Sequence, residues 1–271
     1  MRRFSAKYLE QTREGMWADS REPLVDLDLS NRTRILDVGC GTGELTRVLA
    51  DEAGSDTELV GCDADRDLLT VATDYVPAVT GDALRLPFND DSFDLVVCQA
   101  LLINLTEPVA ALCEFARVSS RLVAAIEPNN AAVSVDSTVD REVELDARVR
   151  DAYLDGVETD VALGEQVEQL FTEAEIEPLS TRRYIHEKRT EPPYSETALK
   201  SATRKASGAG LADSKQELQA GLADSETSYD ELRAAWREVG RAVIDQMQAE
   251  AYERVERVPF DVTVGRVSEQ L

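Results

Sequence analysis

One short stretch decides most of what this chain can be. In "RILDVGCGTGEL", residues 34–45, an apolar run passes into Gly39, Gly41 and Gly43 and then into "ELTRVLADEAG", whose leucines and valines recur at helical spacing. Glycines crowded between a strand and a helix permit backbone conformations with positive φ and let a ligand come close to the main chain. A strand, a glycine turn and a helix in that order open a βαβ unit, the usual frame for holding a nucleotide.

The pattern continues. "TELVGCD" reads as a second strand and "RDLLTVATDY" as a second helix. A short third strand lies near "PAVTGD", and "SFDLVVCQA" is a fourth. "EPVAALCEFARV" is a helix, and "RLVAAIEP" a fifth strand stopped by Pro128. Strands this apolar are covered on both faces, as in a parallel sheet. Residues 138–175 are helical in pattern, "LSTRRYIHEKRT" is a sixth strand and "VPFDVTVGRV" a closing one. Between them, Ser214 with Glu217 and Ser228 with Glu231 make capping-box patterns. Leu232, Trp236, Val239, Val243, Met247, Ala251 and Val255 form one apolar stripe, a helix of about 40 Å. Gly54 is expected to close the first helix of the sheet. The expected fold is α/β, doubly wound, with a mostly parallel seven-stranded sheet and a helical cap inserted before the last strand. The expected boundaries are a helical arm over 1–30, a core over 31–190 and 257–271, and the cap over 191–256.

The glycine turn also says something about its ligand. Dinucleotide sites have G-x-G-x-x-G facing a pyrophosphate, whereas this turn is D-x-G-x-G-x-G, with Asp37 and Glu44 on either side, and it has no P-loop lysine. Glu44 at a helix start is favoured by the helix dipole in any protein. Asp37 at such a turn would repel phosphate and attract an ammonium or sulfonium group. The ligand is expected to be a cationic nucleoside without phosphate.

Here the chain resembles the class I S-adenosylmethionine-dependent methyltransferases, over roughly residues 30–130, similar in type to those of ubiquinone and menaquinone biosynthesis. "ILDVGCGTGEL", with Asp37, Gly39, Cys40, Gly41 and Gly43, matches the family's first motif. The resemblance implies that Asp63, with Ala64 beside it, accepts hydrogen bonds from the ribose hydroxyls of S-adenosylmethionine. It places Asp82 near the adenine amino group, the Ala83 amide near a ring nitrogen, and Gln99 and Ala100 beside the methionine portion. Asp63 as a helix cap, Asp82 as a turn residue, and Gly39 and Gly41 as chain-reversal residues remain the alternatives. Two departures stand out: Ser119 and Ser120 replace a Pro-Gly-Gly turn before the fifth strand, and "LLINL" has no histidine after the fourth.

Methyl transfer from a sulfonium is an in-line displacement in which alignment and exclusion of water do most of the work. A base is needed only if the acceptor must lose a proton. His186, the single histidine, falls in the sixth strand and reads as a surface or strand residue. No catalytic residue is identified; Tyr8, Asn104 and Glu127 are the candidates. From the arm, Arg13 would pair with the methionine carboxylate and Trp17 would lie against the sulfonium-bearing chain, unless Trp17 simply packs on the core. Glu127, Asn129 and Asn130 fall at the carboxyl end of the fifth strand, where ligands of parallel sheets bind, although turn formation accounts for them equally.

The acceptor is expected to be a small molecule. "CQAL" lacks the Asn/Asp-Pro-Pro-aromatic stretch of amino-group methyltransferases, and Cys98 follows valine rather than proline or threonine. The formal charge of -24, from 53 acidic against 29 basic residues, disfavours nucleic acid as a partner. It also suggests a salt-rich, haloarchaeal cytoplasm, because molar salt screens such self-repulsion. An RNA or protein methyltransferase using the basic segment 181–205 is the second reading. A NAD-type Rossmann oxidoreductase, or a non-catalytic S-adenosylmethionine binder, is the third. No long apolar run predicts a membrane span, and "MRRFSAKYLE" lacks the apolar region of a secretion signal, so a cytoplasmic monomer or homodimer is expected. Cys40, Cys62, Cys98 and Cys113 show no metal-ligand spacing and read as buried filler, so no metal is expected.

Overall fold

The computed structural model describes residues 5–13, 15–73 and 76–268. Asp74 and Tyr75, at the end of the expected second helix, lie outside them. The chain divides into two compact units: 1–129 with 162–186 and 259–271, and 130–161 with 187–258. The second unit therefore takes in 130–161, a segment that the sequence alone groups with the sheet.

In the first unit, α1 (Ala6–Arg13) precedes β1 (Arg34–Val38), α2 (Glu44–Glu52), β2 (Glu58–Asp63), α3 (Arg66–Ala72), β3 (Ala78–Thr80) and β4 (Phe93–Gln99). α4 (Pro108–Val118) runs without any intervening loop into β5 (Ser119–Pro128), so the two serines stand at the junction itself. The Ser119 hydroxyl donates to the Leu122 carbonyl there at 2.8 Å. β1 to β5 lie parallel in the order β3-β2-β1-β4-β5. Right-handed crossovers of apolar strands bury both sheet faces. Leu36, Val96, Val123 and Ala125 are 0% exposed, among Phe93, Phe115 and Phe171. α6 (Val167–Glu173) supplies Val167 and Phe171 to this core. β7 (Ile176–Thr190) pairs with β8 (Arg254–Val267), and β8 pairs antiparallel with β5, Leu122 opposite Arg266 through Pro128 opposite Phe260. The α/β fold with a central, mostly parallel sheet is as expected.

The second unit holds an eighth strand, β6 (Ser134–Ser137), antiparallel to the Arg254–Arg257 part of β8. The seven-strand expectation misses it because "SVDS" carries a single apolar residue. The unit's core is made by α5 (Asp140–Gly156), α7 (Glu196–Ser207), α8 (Lys215–Gly221) and α9 (Tyr229–Gln248) around Leu145, Leu232, Trp236 and Val243. α9 has the expected capping box at Ser228 and Glu231, but Ser214 makes no side-chain cap on α8. α9 also ends earlier than its stripe predicts, because Glu250 is left-handed, φ 53°, and Val255 belongs to β8. α2 stops at Glu52 with an extended Ala53 as its cap, so Gly54 does not close it. At the centre of the unit, Glu142 is 0% exposed and receives the Tyr252 hydroxyl at 3.0 Å, the Ser137 hydroxyl at 2.5 Å and the Lys205 ammonium. A buried carboxylate is tolerated when paired and hydrogen-bonded in this way. No helix of the described residues is long and apolar enough to cross a membrane.

Candidate active site

The glycine turn sits at the carboxyl end of β1. Gly39, Gly41 and Gly43 all take positive φ, 71°, 56° and 85°, a conformation that side chains strain against. Space forbids a side chain as well: a Cβ on Gly39 would come within 2.9 Å of the Leu101 side chain, and one on Gly41 within 2.9 Å of Leu9. The turn is pinned to β2. Gly39 and Cys40 donate their amides to the Cys62 carbonyl, at 2.7 and 3.2 Å. The Gly41 amide donates to Asp63 Oδ2 at 2.9 Å, and the Asp65 amide to Asp63 Oδ1 at 2.8 Å. Asp63 therefore fixes the turn, while Asp65 rather than Asp63 caps α3, accepting from the Asp67 amide. Cys40 is buried with its sulfur against Gly61, where a Cβ would stand 2.8 Å away. Burial raises the Cys40 thiol pKa far above its ordinary value and lifts that of Cys62 to about 12, so neither is a thiolate.

Asp37 is not at the mouth of the turn. It is 1% exposed, beneath the glycines, with the Thr46 hydroxyl donating to Oδ2 at 2.6 Å. Burial pushes its carboxyl up to about 7, against the opposing influence of that hydroxyl and of Arg13. Bonded to Thr46 and out of solvent, it shapes the floor of the turn, and its charge at neutral pH is partial. Glu44 is the carboxylate nearer the surface. Its Oε1 accepts from the Thr42 hydroxyl, and its Oε2 is buried without a hydrogen-bond donor, 4.0 Å from Arg13 Nη1.

The arm residues converge on the end of β4. Arg13 Nη2 donates to the Gln99 carbonyl at 3.3 Å, and Trp17 Nε1 donates to Gln99 Oε1 at 3.1 Å. Trp17 is 3% exposed and left-handed, φ 67°, its ring stacked on Tyr184 at 4.4 Å while its amide donates to the Tyr184 hydroxyl. Trp17 thus packs on the core and borders Gln99 at once. Tyr184 has no signal in the sequence beyond alternation along β7 with His186, which is buried, 2% exposed, rather than at the surface. Ala100, next to Gln99, is also left-handed, φ 50°; a non-glycine residue held so is characteristic of sites that position ligands. Tyr8 is half exposed, Ala64 and Asp82 are exposed, and Ala83 is buried. Asp82 Oδ1 accepts from the Leu84 amide at 3.0 Å, the turn role foreseen as its alternative.

Glu127 proves to be a support. It is 0% exposed, and its carboxylate accepts the amides of Leu101, Leu102 and Ile103 at 3.0, 2.9 and 3.4 Å. Burial raises its pKa to about 7 against the pull of those amides. With both oxygens occupied by backbone, it has no face free for an acceptor. The turn it holds carries Asn104, 8% exposed, whose Nδ2 donates to the Ala100 carbonyl at 2.8 Å. Among the described residues no group of three or more His, Cys, Asp or Glu side chains is placed to hold a metal ion.

A family model described as a methyltransferase domain matches residues 36–121, from β1 to the start of β5. That stretch is a class I methyltransferase domain. The cofactor that this domain implies is S-adenosylmethionine, and the residues fit it: a left-handed glycine cradle, an acid at the end of β2 and a buried carboxylate oxygen lacking a donor. Demethylmenaquinone methyltransferase of Staphylococcus aureus is 37% identical over 99 residues, 34% of this chain and 41% of that protein. The chain thus spans about two fifths of the length of the curated relatives it matches. A protein assigned as a methyltransferase from Bacillus halodurans aligns with TM-score 0.51 and 18% identity, over 89% of this chain and 96% of its own. A protein of the same assignment from Haloferax volcanii, solved with the Trm112 methyltransferase activator, gives 0.53 and 16%, over 97% and 94%. At such identities these two show the fold.

Proposed function

We propose that the protein transfers a methyl group from S-adenosylmethionine to a small-molecule acceptor by in-line displacement. The observation that carries this is the glycine turn, held open by three positive-φ glycines and tied through Gly41 to Asp63. In this reading the turn, with Asp63 and Ala64, holds the nucleoside. Asp82 and Ala83 border the base, and Gln99, Ala100, Arg13 and Trp17 border the amino-acid end. Cys40 and Asp37 act from below, shaping the turn. Bound S-adenosylmethionine supplies a methyl group already activated by its sulfonium. The chain's own contribution is to orient the acceptor and exclude water. The proton that a quinol-type acceptor loses must pass to a base, for which Tyr8 and Asn104 are the nearest candidates from sequence; Glu127, held by three amides, is not free. An acceptor of the quinol type is favoured by the resemblance to a demethylmenaquinone methyltransferase.

The basic segment gives no support to an RNA reading. Arg182 pairs with Glu22 and Asp26, Arg183 with Glu165 and Asp261, Arg189 with Glu187, Lys200 with Glu196, Arg204 with Asp213 and Lys205 with Glu142. Charges neutralised within the protein release few counterions on meeting a phosphate backbone. Calorimetry at molar potassium chloride, with S-adenosylmethionine and NADH side by side, tests the reading. Binding of the first alone is expected; binding of NADH alone would overturn it. A tritiated-methyl assay against a fractionated lysate then finds the acceptor.

A further inference from the structure

The glycine cradle is covered by α1. The Leu9 side chain comes within 2.9 Å of the place a Cβ on Gly41 would take. Apart from the adjoining residues of the turn, nothing else among the described residues lies within 4 Å of that place. Leu9 is buried there, 7% exposed, while its neighbour Tyr8 is 49% exposed, so α1 rests on the turn by one face. The helix is otherwise held lightly. Arg13 Nη2 reaches the Gln99 carbonyl at 3.3 Å, beyond the usual range of such a bond, and Nη1 stands 4.0 Å from Glu44 Oε2.

Beyond Gly15 the chain is fastened instead. The Trp17 amide donates to the Tyr184 hydroxyl at 2.9 Å, the two rings stack at 4.4 Å, and Trp17 Nε1 donates to Gln99 Oε1 at 3.1 Å. Gln99 Nε2 donates to Met16 Sδ at 3.4 Å, so both ends of its side-chain amide are engaged by the arm. Gly15 itself is left-handed, φ 74°, and no atom lies within 4 Å of a Cβ placed on it. A glycine in open space between a loosely held helix and a firm anchor is where the chain turns most readily.

We infer that α1 is a lid on the glycine cradle, which swings about Gly15 to admit the nucleoside and then closes over it, while Met16 and Trp17 stay anchored on Gln99 and Tyr184. This rests on the methyltransferase reading and adds how its site opens. Leu9 covers the side of Gly41 on which the main chain is bare, so a ligand reaches that side only when α1 has left it. Opening gives up one apolar contact and one long hydrogen bond, whereas releasing the anchor would break three hydrogen bonds and a ring stack. The break therefore falls at Gly15, and the moving part is drawn from the least stable end of the unit, as lids are.

Stopped-flow tryptophan fluorescence of the full chain, mixed with S-adenosylhomocysteine at molar potassium chloride, tests this. The observed rate is expected to approach a limit independent of ligand concentration, the opening rate of the lid. Leu9→Ala trims the contact with Gly41, and Gly15→Ala strains the left-handed hinge of the closed arm. Each is expected to raise that limit about fivefold. Hydrogen exchange gives a second readout: the amides of residues 6–13 should exchange faster than those of α2 in the free protein, and about tenfold more slowly once the ligand is bound. Should either variant fail to fold, the limit and the exchange measured on the parent decide alone. A rate that rises linearly with ligand throughout, a limit unmoved in both folded variants, or exchange over 6–13 that binding leaves unchanged would overturn the lid while cofactor binding stands. Failure of S-adenosylhomocysteine to bind the parent would remove the methyltransferase reading and the lid with it.

Discussion

Replacing Asp37 with asparagine should make the protein less sensitive to alkali. The carboxyl lies at 1% exposure under the glycine turn, and burial lifts its pKa from 3.8 to about 7. Between those two values the folded state holds a proton that the unfolded chain has released. The stability it contributes is therefore complete below the unfolded pKa and is lost as pH rises through the folded one. A gap of about three units, at about 1.36 kcal/mol each, amounts to roughly 4 kcal/mol once Asp37 is ionised in both states. Asparagine has the shape of the protonated acid, carries no charge and still offers Oδ1 to the Thr46 hydroxyl. The difference in unfolding free energy should therefore widen in favour of Asp37→Asn, by about 2 to 3 kcal/mol from about pH 5 to about pH 8. Urea unfolding of both proteins in molar potassium chloride, at a series of pH values, measures this, because the remaining 52 acidic residues (53 less one) affect both alike. Stability differences that stay constant across that range would show that the buried carboxyl is ionised throughout, and would restore Asp37 as an anionic element of the turn.

Three further outcomes follow from the same packing. Glu127→Ala strands the amides of Leu101, Leu102 and Ile103 and should cost about 3 kcal/mol or more in urea unfolding, with a matching loss of methyl transfer. Gly240→Ala in α9 gains about 1 kcal/mol of helix propensity. It nevertheless places a Cβ 2.2 Å from the Ala206 amide nitrogen of α7, so a net loss of about 1 to 3 kcal/mol is expected, read as a lower melting temperature. Asp63→Ala should weaken S-adenosylmethionine binding by about 1 to 3 kcal/mol in calorimetry, since it releases the Gly41 amide and, in the proposed reading, removes the ribose acceptors.

What the sequence discloses and what it hides follow from the range of the interactions. Strand-and-helix alternation and a glycine turn are local, so the order of β1 to β5 and the positive-φ glycines were legible in "ILDVGCGTGEL" and the runs after it. Trp17 and Tyr184 stand 167 residues apart, and no local pattern announces that one would receive the other's amide. Charge on a carboxyl is equally non-local. Asp37 and Glu127 read in one dimension as acids at the mouth of a ligand site, yet the layers above and below the sheet enclose both, with Thr46 and three backbone amides as their partners. The end of α9 shows the opposite difficulty. Its apolar stripe continues through Ala251 and Val255, but the left-handed Glu250 ends the helix and passes those residues to the approach to β8 and to β8 itself.

The two buried carboxylates bear directly on how a pH profile of the proposed methyl transfer is to be interpreted. A rate that changes near neutral pH is ordinarily assigned to a general base. Here Asp37 and Glu127 both titrate at about 7, and neither presents an oxygen to a reacting group: one receives Thr46, the other three backbone amides. Because both pKa values are raised on folding, ionising either one destabilises the fold, and the parts affected are the glycine turn and the turn carrying Asn104. An alkaline loss of methyl transfer centred near pH 7 should therefore be matched by a fall in melting temperature over the same interval, and should show no solvent hydrogen isotope effect. A true base would instead make the rate rise with pH while leaving the melting temperature level, and its proton transfer would slow in heavy water. Rate and melting temperature, followed together on the parent and on Asp37→Asn, separate the contributions. In the variant the alkaline fall in melting temperature should become shallower, leaving the part due to Glu127, and a rate limb that stays unchanged while the melting temperature shifts shows that the proton does not belong to the floor of the turn.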